Sequence, residues 1–304
     1  MSKNVLITGG SGMVGTRLSE LLLEQGYTVS HLSRSPGNDS SPITTYLWDI
    51  KQRYINPEAI PRADYIVHLA GAGVADQRWT DQRKQAILKS RTESTHLLRK
   101  ALADADPSNI QAFVSASAIG IYGADTGDKL LTEESPAASD FLADVVVQWE
   151  AAVDTIQALG IRTVKHRIGV VLSEKGGALV PIARTVRWGV GAPLGNGEQY
   201  ISLIHLDDVW RLFIHALENT TVEGTYNAVG PQPVTNRELT RTTAQVLHRP
   251  MWLPNVPAFA LKLALGELSS VVLGGNRVSS QKIEDAGFEH KFNKIEVALA
   301  DLLK

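Results

Sequence analysis

The chain has 304 residues, a formal net charge of −2, no cysteine, 43% hydrophobic and 20% charged residues. This is ordinary globular composition, and the balanced charge gives no sign of a nucleic-acid or membrane-surface partner. No apolar run approaches the roughly 20 residues that a membrane span needs. Without cysteine, disulfides, thiol nucleophiles and thiolate-bound metals are excluded. We therefore expect a cytoplasmic protein with no signal peptide and no metal site.

A glycine-rich turn follows the first predicted strand. Residues 3–8 (KNVLIT) form this short apolar strand, and an amphipathic helical pattern (TRLSELLLEQG) comes directly after the turn. One glycine permits the tight turn, one lets a pyrophosphate approach the backbone, and one lets the helix pack on the strand. Backbone amides at the helix N-terminus then face the phosphates. The residues predicted to hold a dinucleotide are Gly9, Gly12, Met13, Val14 and Gly15.

Predicted strands and helices alternate through the first half of the chain. Further strands are predicted at 27–32, 45–48, 65–70, 112–116 and 162–172, with long helices at about 80–102 and 141–159. Such alternation predicts an α/β fold, a Rossmann-type doubly wound parallel sheet. Glycine-rich loops interrupt the rhythm after Leu172, before helices at 206–217 and, opened by a Thr235–Glu238 capping box, at 236–247.

This change of rhythm divides the chain into two predicted units. Residues 1–172 and 199–230 form the cofactor-binding domain. Residues 173–198 and 231–304 form a smaller C-terminal substrate lobe. The glycine-rich loop 189–197 is expected to line the cleft between them.

The end of the second strand distinguishes NAD from NADP. NAD enzymes place an acidic residue there to accept from the ribose hydroxyls. Here the strand ends in Ser33 and Arg34. A small hydroxyl followed by a planar guanidinium suits a 2′-phosphate. The predicted cofactor is therefore NADP(H).

The motifs TGGSGMVG, HLAGAG and SASAIGIYG resemble those of the extended short-chain dehydrogenase/reductases, which include nucleotide-sugar epimerases and dehydratases. The pieces PLGNGEQYISLIHLDDV, VLGGNRV and EDAGFEHKF resemble an atypical "epimerase family" group with a C-terminal domain of unknown function. The resemblance implies that Leu69, Ala70 and Gly71 pass beside the cofactor. Members of the wider family often pair through two long helices, here near Leu97 and Val147, so a homodimer is one expectation.

The resemblance also implies a Ser–Tyr–Lys catalytic set, which this chain carries only in part. Ser117 matches the serine. When the helix 141–152 is anchored on Glu150, Leu142 stands at the tyrosine position and Val146 at the lysine position, and neither can transfer a proton. Tyr122 is the candidate substitute acid; its alternative role is packing.

Two arginines and a glutamine complete the candidate set. The resemblance implies that the helix position of Arg91 turns towards the cofactor, where a guanidinium reaches a phosphate or an anionic substrate. Gln85 is placed on a similar face. Arg167, at the ligand edge of the sheet, is expected to contact a ligand or to hold a carboxylate. His68 and His166 are expected to be packed histidines.

Two functions remain open from the sequence. The leading hypothesis is an NADP(H)-dependent oxidoreductase or epimerase-like enzyme acting on a small molecule, with Ser117 orienting the reacting oxygen and the proton coming from Tyr122, water or the substrate. The alternative is a catalytically silent NADP(H)-binding sensor or partner-docking protein, which the loss of the Tyr–Lys pair favours.

Overall fold

The structure is a computed structural model that describes residues 2–38 and 40–304. The strands are β1 Asn4–Thr8, β2 Thr28–Ser33, β3 Thr44–Asp49, β4 Tyr54–Ile55, β5 Tyr65–His68, β6 Ala112–Ala118, β7 Leu130–Leu131, β8 Thr163–Ile168, β9 Val170–Ser173, β10 Gly176–Gly177, β11 Tyr200–Ile201, β12 Leu203–His205, β13 Gly224–Ala228, β14 Val234–Thr235 and β15 Arg277–Val278.

The α-helices are α1 Met13–Glu24, α2 Asp81–Asp104, α3 Phe141–Gln157, α4 Leu179–Arg187, α5 Leu206–Glu218, α6 Asn236–Val246, α7 Ala258–Leu265, α8 Ser269–Leu273, α9 Gln281–Asp285 and α10 Ile295–Leu303. Among these described residues, none of the helices is both long and apolar enough to cross a membrane.

The main sheet has eight strands in the order β13-β8-β6-β5-β1-β2-β3-β4, parallel except for β4. The strand order reverses between β1 and β5, because the chain runs outward from β1 to β4 and then returns to β5. Helix α1 packs beside α5, and α2 packs beside α3. The predicted doubly wound α/β fold is confirmed, and its ligand crevice is expected where the order reverses.

One predicted strand is wrong, since the run 162–172 is broken at Gly169. Its first part, β8, belongs to the main sheet, whereas β9 pairs with β10 and β12 in a separate sheet of three strands. The Gly169 amide donates to Ala228 O, and a Cβ on Gly169 would overlap Ser202 O. The backbone can pass between the sheets only because this residue is glycine.

Of the three buried hydrophobic clusters among the described residues, two underlie the main sheet and the three-stranded sheet. The larger one fills both faces of the main sheet, and the smaller one packs β9 and β12 against α4, α6 and α10. Leu203 belongs to the smaller core and Ile204 to the larger, so β12 joins the two units. The boundaries at 172, 198 and 230 stay a prediction. Leu97 is 7% exposed and faces the core, whereas Val147 is 43% exposed; of the two, Val147 is the one available to a second copy.

The segment 273–276 (LGGN), here called the glycine wedge, packs the C-terminal part of the chain tightly against the rest of the fold. A Cβ on Gly274 would overlap Ala124 O, and one on Gly275 would overlap Tyr200 O. Next to them, Asn276 donates to Gly123 O at 2.7 Å and accepts from the Thr126 hydroxyl at 2.8 Å. The two glycines are therefore required by close backbone approach, which the sequence motif alone does not reveal.

We expect Gly275→Ala to lower the free energy of unfolding by about 2–3 kcal/mol, because the added methyl must displace the Tyr200 backbone. Gly160→Ala is the matched control: Gly160 has φ +81° with nothing near its Cβ position, so only backbone strain of about 1 kcal/mol arises. Urea unfolding measures both variants. Equal losses in the two variants would contradict the wedge.

Candidate functional site

The dinucleotide turn is shaped by glycines at two close approaches. Gly9 has φ +71°, and a Cβ there would lie 2.9 Å from the carbonyl carbon and oxygen of Leu69. A Cβ on Gly15 would overlap the carbonyl oxygen of Gly9. The ends of β1 and β5 and the start of α1 thus meet with no room for side chains. This is the arrangement that the glycine spacing predicts.

Gly12 has a different environment, because the space beside it is open. Its amide donates to Gly9 O at 3.0 Å, and within 4 Å its Cβ position meets only that same oxygen, at 3.3 Å. In the described part of the chain no side chain caps α1, and its first turn has no acidic residue. The first amides of α1, at Met13 and Val14, are therefore left for an external acceptor, which is what a diphosphate supplies.

The end of β2 carries no acidic residue. The Ser33 hydroxyl accepts from the Ser35 amide at 3.2 Å, and Arg34 is exposed just beyond the strand. The exposed Arg34 guanidinium can turn towards a 2′-phosphate. The binding roles of Ser33 and Arg34 stay predictions.

The edges of β1 and β5 are joined by a buried hydrogen-bond chain. The Thr8 hydroxyl accepts from the amides of Leu69 and Ala70 at 3.2 Å and bonds to Nδ1 of His68 at 2.7 Å. His68 Nε2 bonds to the Thr95 hydroxyl at 3.1 Å. Burial lowers the pKa of His68 to about 3, so the ring is neutral and holds the strand ends in place.

His166 is likewise fully buried. Its ring packs edge-on against Phe213, with centroids 5.1 Å apart. Burial lowers the pKa of His166 to about 4. Both histidines are core groups, as the sequence suggested.

Arg91 comes to the end of β5, but Gln85 does not accompany it. The Arg91 Cζ lies 3.1 Å from the Cβ position of Gly71. Gln85 is exposed, six residues before Arg91 in α2. Six residues turn a helix by about 240°, so the two side chains lie on different faces. The expectation that Gln85 and Arg91 share a helix face is therefore wrong. Lys84, seven residues before Arg91, lies on the same face as Arg91.

Ser117 belongs to a buried ionic network at the ends of β6 and β8. Its hydroxyl donates to Glu150 Oε1 at 2.5 Å, and it is 3% exposed. Arg167 binds the same carboxylate through Nε at 2.8 Å and Nη2 at 2.9 Å. Of the two roles expected for Arg167, the structure shows the held carboxylate.

The ion pair fixes the protonation of both partners. Burial acts to raise the pKa of Glu150, but the hydrogen bonds and charge of Arg167 outweigh it and hold that pKa below its usual value. Burial acts to lower the pKa of Arg167, and the Glu150 carboxylate raises it instead. Glu150 is thus an anion, and the Ser117 proton points to it, which leaves the Ser117 lone pairs for another donor.

Tyr122 closes the same network. Its hydroxyl donates to Asn227 Oδ1 at 2.7 Å and accepts from Arg167 Nη1 at 3.0 Å. The ring is 3% exposed, and burial raises the pKa of Tyr122. With both hydroxyl directions occupied by protein, Tyr122 packs here instead of reaching a substrate. This is the alternative role that the sequence offered, and it argues against Tyr122 as the substitute acid.

The positions expected to carry tyrosine and lysine form an apolar wall. Val146 is buried and Leu142 half-buried on α3, and both approach the Cβ position of Gly120 within 4 Å. Phe141, beside Leu142, packs edge-on against Trp79 with centroids 5.0 Å apart. The wall therefore runs from the turn after β6 to the loop before α2.

The glycine-rich loop 189–197 is anchored to the smaller unit. The Gly195 amide donates to Val256 O and the Val256 amide to Pro193 O, at 2.9 and 2.8 Å. Gln199 Nε2 donates to the carbonyls of Leu194 and Val272. That the loop lines a substrate cleft stays a prediction.

Sequence reasoning did not find the roles of Glu150 and Asn227. Glu150 is recognisable from the sequence only as an acid that anchors the helix 141–152, and no local pattern marks Asn227. Their partners lie 17 to 105 residues away along the chain. A buried acid in an apolar helix face next to an arginine-bearing strand was the available signal.

Comparisons with known proteins agree with this geometry. The sequence profile of the NAD dependent epimerase/dehydratase family matches residues 5–229, and that of a domain of unknown function, DUF1731, matches residues 256–302. The epimerase family protein YfhF of Bacillus subtilis is 36% identical over 301 residues, covering 99% of this chain and 98% of that protein.

Two solved structures are similar over the whole chain. The crystal structure of human epimerase family protein SDR39U1 with NADPH has 30% sequence identity and a TM-score of 0.87, with 98% of each chain covered. A nucleoside-diphosphate sugar epimerase from Corynebacterium glutamicum has 30% identity and a TM-score of 0.81, covering 100% of this chain and 58% of that one.

We expect Glu150→Gln to lower the free energy of unfolding at neutral pH by about 3–5 kcal/mol, because Arg167 is left buried without a counter-charge. The wild-type contribution is present above the ordinary carboxyl pKa of 4.5 and is lost as the pH falls through the lower folded value. Urea unfolding across this pH range should therefore show a weaker acid dependence in the variant. Glu58→Gln, in a surface pair with Arg62, is the control; equal behaviour of the two would count against the network.

Proposed function

Because the chain belongs to the NAD dependent epimerase/dehydratase family, we propose that it binds NADP(H) and exchanges hydride with a carbon of a small-molecule substrate. The observation that carries the proposal is the turn after β1, where Gly9 and Gly15 have no room for a Cβ and Gly12 lies open beside the free amides of α1. That the human relative SDR39U1 was crystallised with NADPH supports the choice of cofactor.

The residues present fit the cofactor along one edge of the sheet. The amides of Met13 and Val14, beside the open side of Gly12, would hold the diphosphate. Ser33 and Arg34 would hold the 2′-phosphate one strand further out. Leu69, Ala70 and Gly71, held by the Thr8 hydroxyl, would support it from the β5 side. When bound, NADP(H) supplies the hydride-accepting or hydride-donating carbon.

Ser117 is the positioning residue on the reactive side. Its proton is committed to Glu150, so its oxygen accepts a hydrogen bond from a hydroxyl or an amide placed above β6. The bidentate Glu150–Arg167 pair keeps the serine in one rotamer. Ser117 thus orients a bound group without itself changing protonation state.

The proton in such a reaction does not come from the tyrosine–lysine pair that is usual in the family. Leu142 and Val146 have no exchangeable proton, and the Tyr122 hydroxyl is committed to Asn227. Water or a hydroxyl of the substrate therefore supplies or receives the proton. A substrate whose own groups can do this suits the site best.

A second candidate function is a silent NADP(H)-binding sensor or docking protein. The aliphatic packing of Leu142 and Val146 against the turn at Gly120 favours it, because this packing closes the place of the usual acid. The ordered Ser117 network favours the enzyme. Turnover of a substrate by the wild-type protein would distinguish the enzyme from the sensor or docking protein.

Arg34→Ala tests the cofactor. We expect the Kd for NADPH to rise at least tenfold and the Kd for NADH to stay unchanged, because only NADPH has the phosphate that the guanidinium binds. Fluorescence titration of the purified protein measures both constants. Arg62→Ala, an exposed arginine beside the start of β1 at the opposite edge of the sheet, is the control. Tighter binding of NADH than NADPH by the wild type would refute the choice of NADP(H).

Ser117→Ala tests catalysis. With a panel of hydroxyl-bearing carbonyl compounds and nucleotide sugars, we expect wild-type NADPH oxidation and a loss of roughly 100-fold in the variant, because the substrate hydroxyl that donates to the Ser117 oxygen is no longer held. Tyr122→Phe should keep most of the rate. Bound NADPH with no wild-type turnover would support the sensor, and a larger loss in Tyr122→Phe than in Ser117→Ala would restore the tyrosine as the acid.

A further inference from the structure

Arg91 is an inward-facing arginine without a carboxylate. Its Nη1 donates to Ala72 O at 3.0 Å and to Ile87 O at 2.9 Å, and lies 3.5 Å from the Ser90 hydroxyl. Among residues 2–38 and 40–304 no acidic group lies within ion-pair distance of it. The comparison within the fold is Arg167, which is buried and pairs with Glu150 through two nitrogens, whereas Arg91 is partly exposed.

The unused part of the Arg91 guanidinium has a defined shape. Within the described residues, Nε and Nη2 make no hydrogen bond, and neither atom is sealed from solvent. These two nitrogens form the edge that presents two parallel N–H donors. A carboxylate or a phosphate matches that edge with two oxygens, as Glu150 does at Arg167.

The surroundings hold this edge in place. Burial and the charge of Arg83 lower the pKa of Arg91 to about 10, which still leaves the guanidinium charged at neutral pH. The guanidinium lies over the Trp149 ring, 5.1 Å from its centroid, and against Gly71. His68 beside it is neutral. Arg83, the nearest cation on the same helix, is paired with Asp76. The indole Nε1 of Trp149 is also buried without an acceptor in the described part of the chain. Two unsatisfied donor groups therefore meet where α2 and α3 reach β5.

This place is on the substrate side of the expected cofactor. The diphosphate and 2′-phosphate sites lie at β1 and β2, on one side of the crevice. Arg91 lies beyond β5, and Trp149 is one turn along α3 from Val146. An anion at Arg91 would thus lie near the reactive side of the site, away from the predicted phosphate partners.

We propose that the Nε–Nη2 edge of Arg91 binds an oxyanion of the substrate, so that the substrate is a carbonyl or hydroxy compound bearing a carboxylate or phosphate. This inference rests on the proposed function. It assigns the substrate, which the proposed function leaves unspecified, to a chemical class. A cofactor phosphate has the same chemistry and is the source that the test must separate.

Matched neutral and anionic probes test the subsite without turnover. Calorimetric titration of the full protein saturated with NADP⁺ compares benzoate with benzamide and acetate with acetamide. We expect the wild type to bind at least one anion about tenfold or more tightly than its amide, with the difference shrinking in high salt. In Arg91→Gln the difference should fall below about threefold, while the Kd for NADPH changes less than about threefold. Arg91→Lys should be intermediate, since it keeps charge without the two-donor edge.

Lys89→Gln, an exposed cation on the same helix, is the control and should keep the wild-type ratio. Equal binding of anion and amide by the wild type overturns the subsite. The subsite is also overturned if the Arg91→Gln protein loses tenfold in NADPH affinity but keeps the wild-type ratio of anion to amide binding. Arg91 would then bind a phosphate of the cofactor. If Arg91→Gln does not fold, the wild-type ratio and Arg91→Lys decide. Anion preference without carbonyl turnover would leave the subsite standing and refute the catalytic proposal alone.

Discussion

The bidentate contact between Glu150 and Arg167 organises the reactive end of the molecule. It joins α3 to β8, and through Ser117 and Tyr122 it extends to β6 and β13. A buried carboxylate and guanidinium are each costly alone, so the strands and helix that carry them must keep their relative positions. The other residues of the candidate site are positioned relative to this ion pair.

Leu142 and Val146, at the positions where the family resemblance implies tyrosine and lysine, form an apolar wall beside the turn at Gly120. The positive charge that a lysine would bring is absent from α3. Arg91 brings one from α2 instead, supported by the Trp149 ring.

Much of the fold could be predicted because its signals are local. The glycine spacing at Gly9, Gly12 and Gly15, the strand–helix alternation and the Thr235–Glu238 capping box all act within a few residues. The break at Gly169 could not be predicted, because apolar residues continue on both sides and only Ser202, distant in sequence, requires the glycine. The partners of Ser117 and Arg167 were hidden for the same reason. The expectation that Gln85 shares a face with Arg91 is wrong because residues six apart in a helix do not lie on the same face.

The glycine wedge at 274–275 also limits how the two predicted units can move. With Asn276 bonded to Gly123 and the backbone pressed on Tyr200, the two units cannot hinge apart along this seam without unpacking it. On the other side, α7 is attached through Arg78 to Leu263 O and through the contact of Lys84 with Glu267, both at the surface. None of the α7 side chains is fully buried. The contacts at α7 are therefore easier to break than the packing around Gly274 and Gly275.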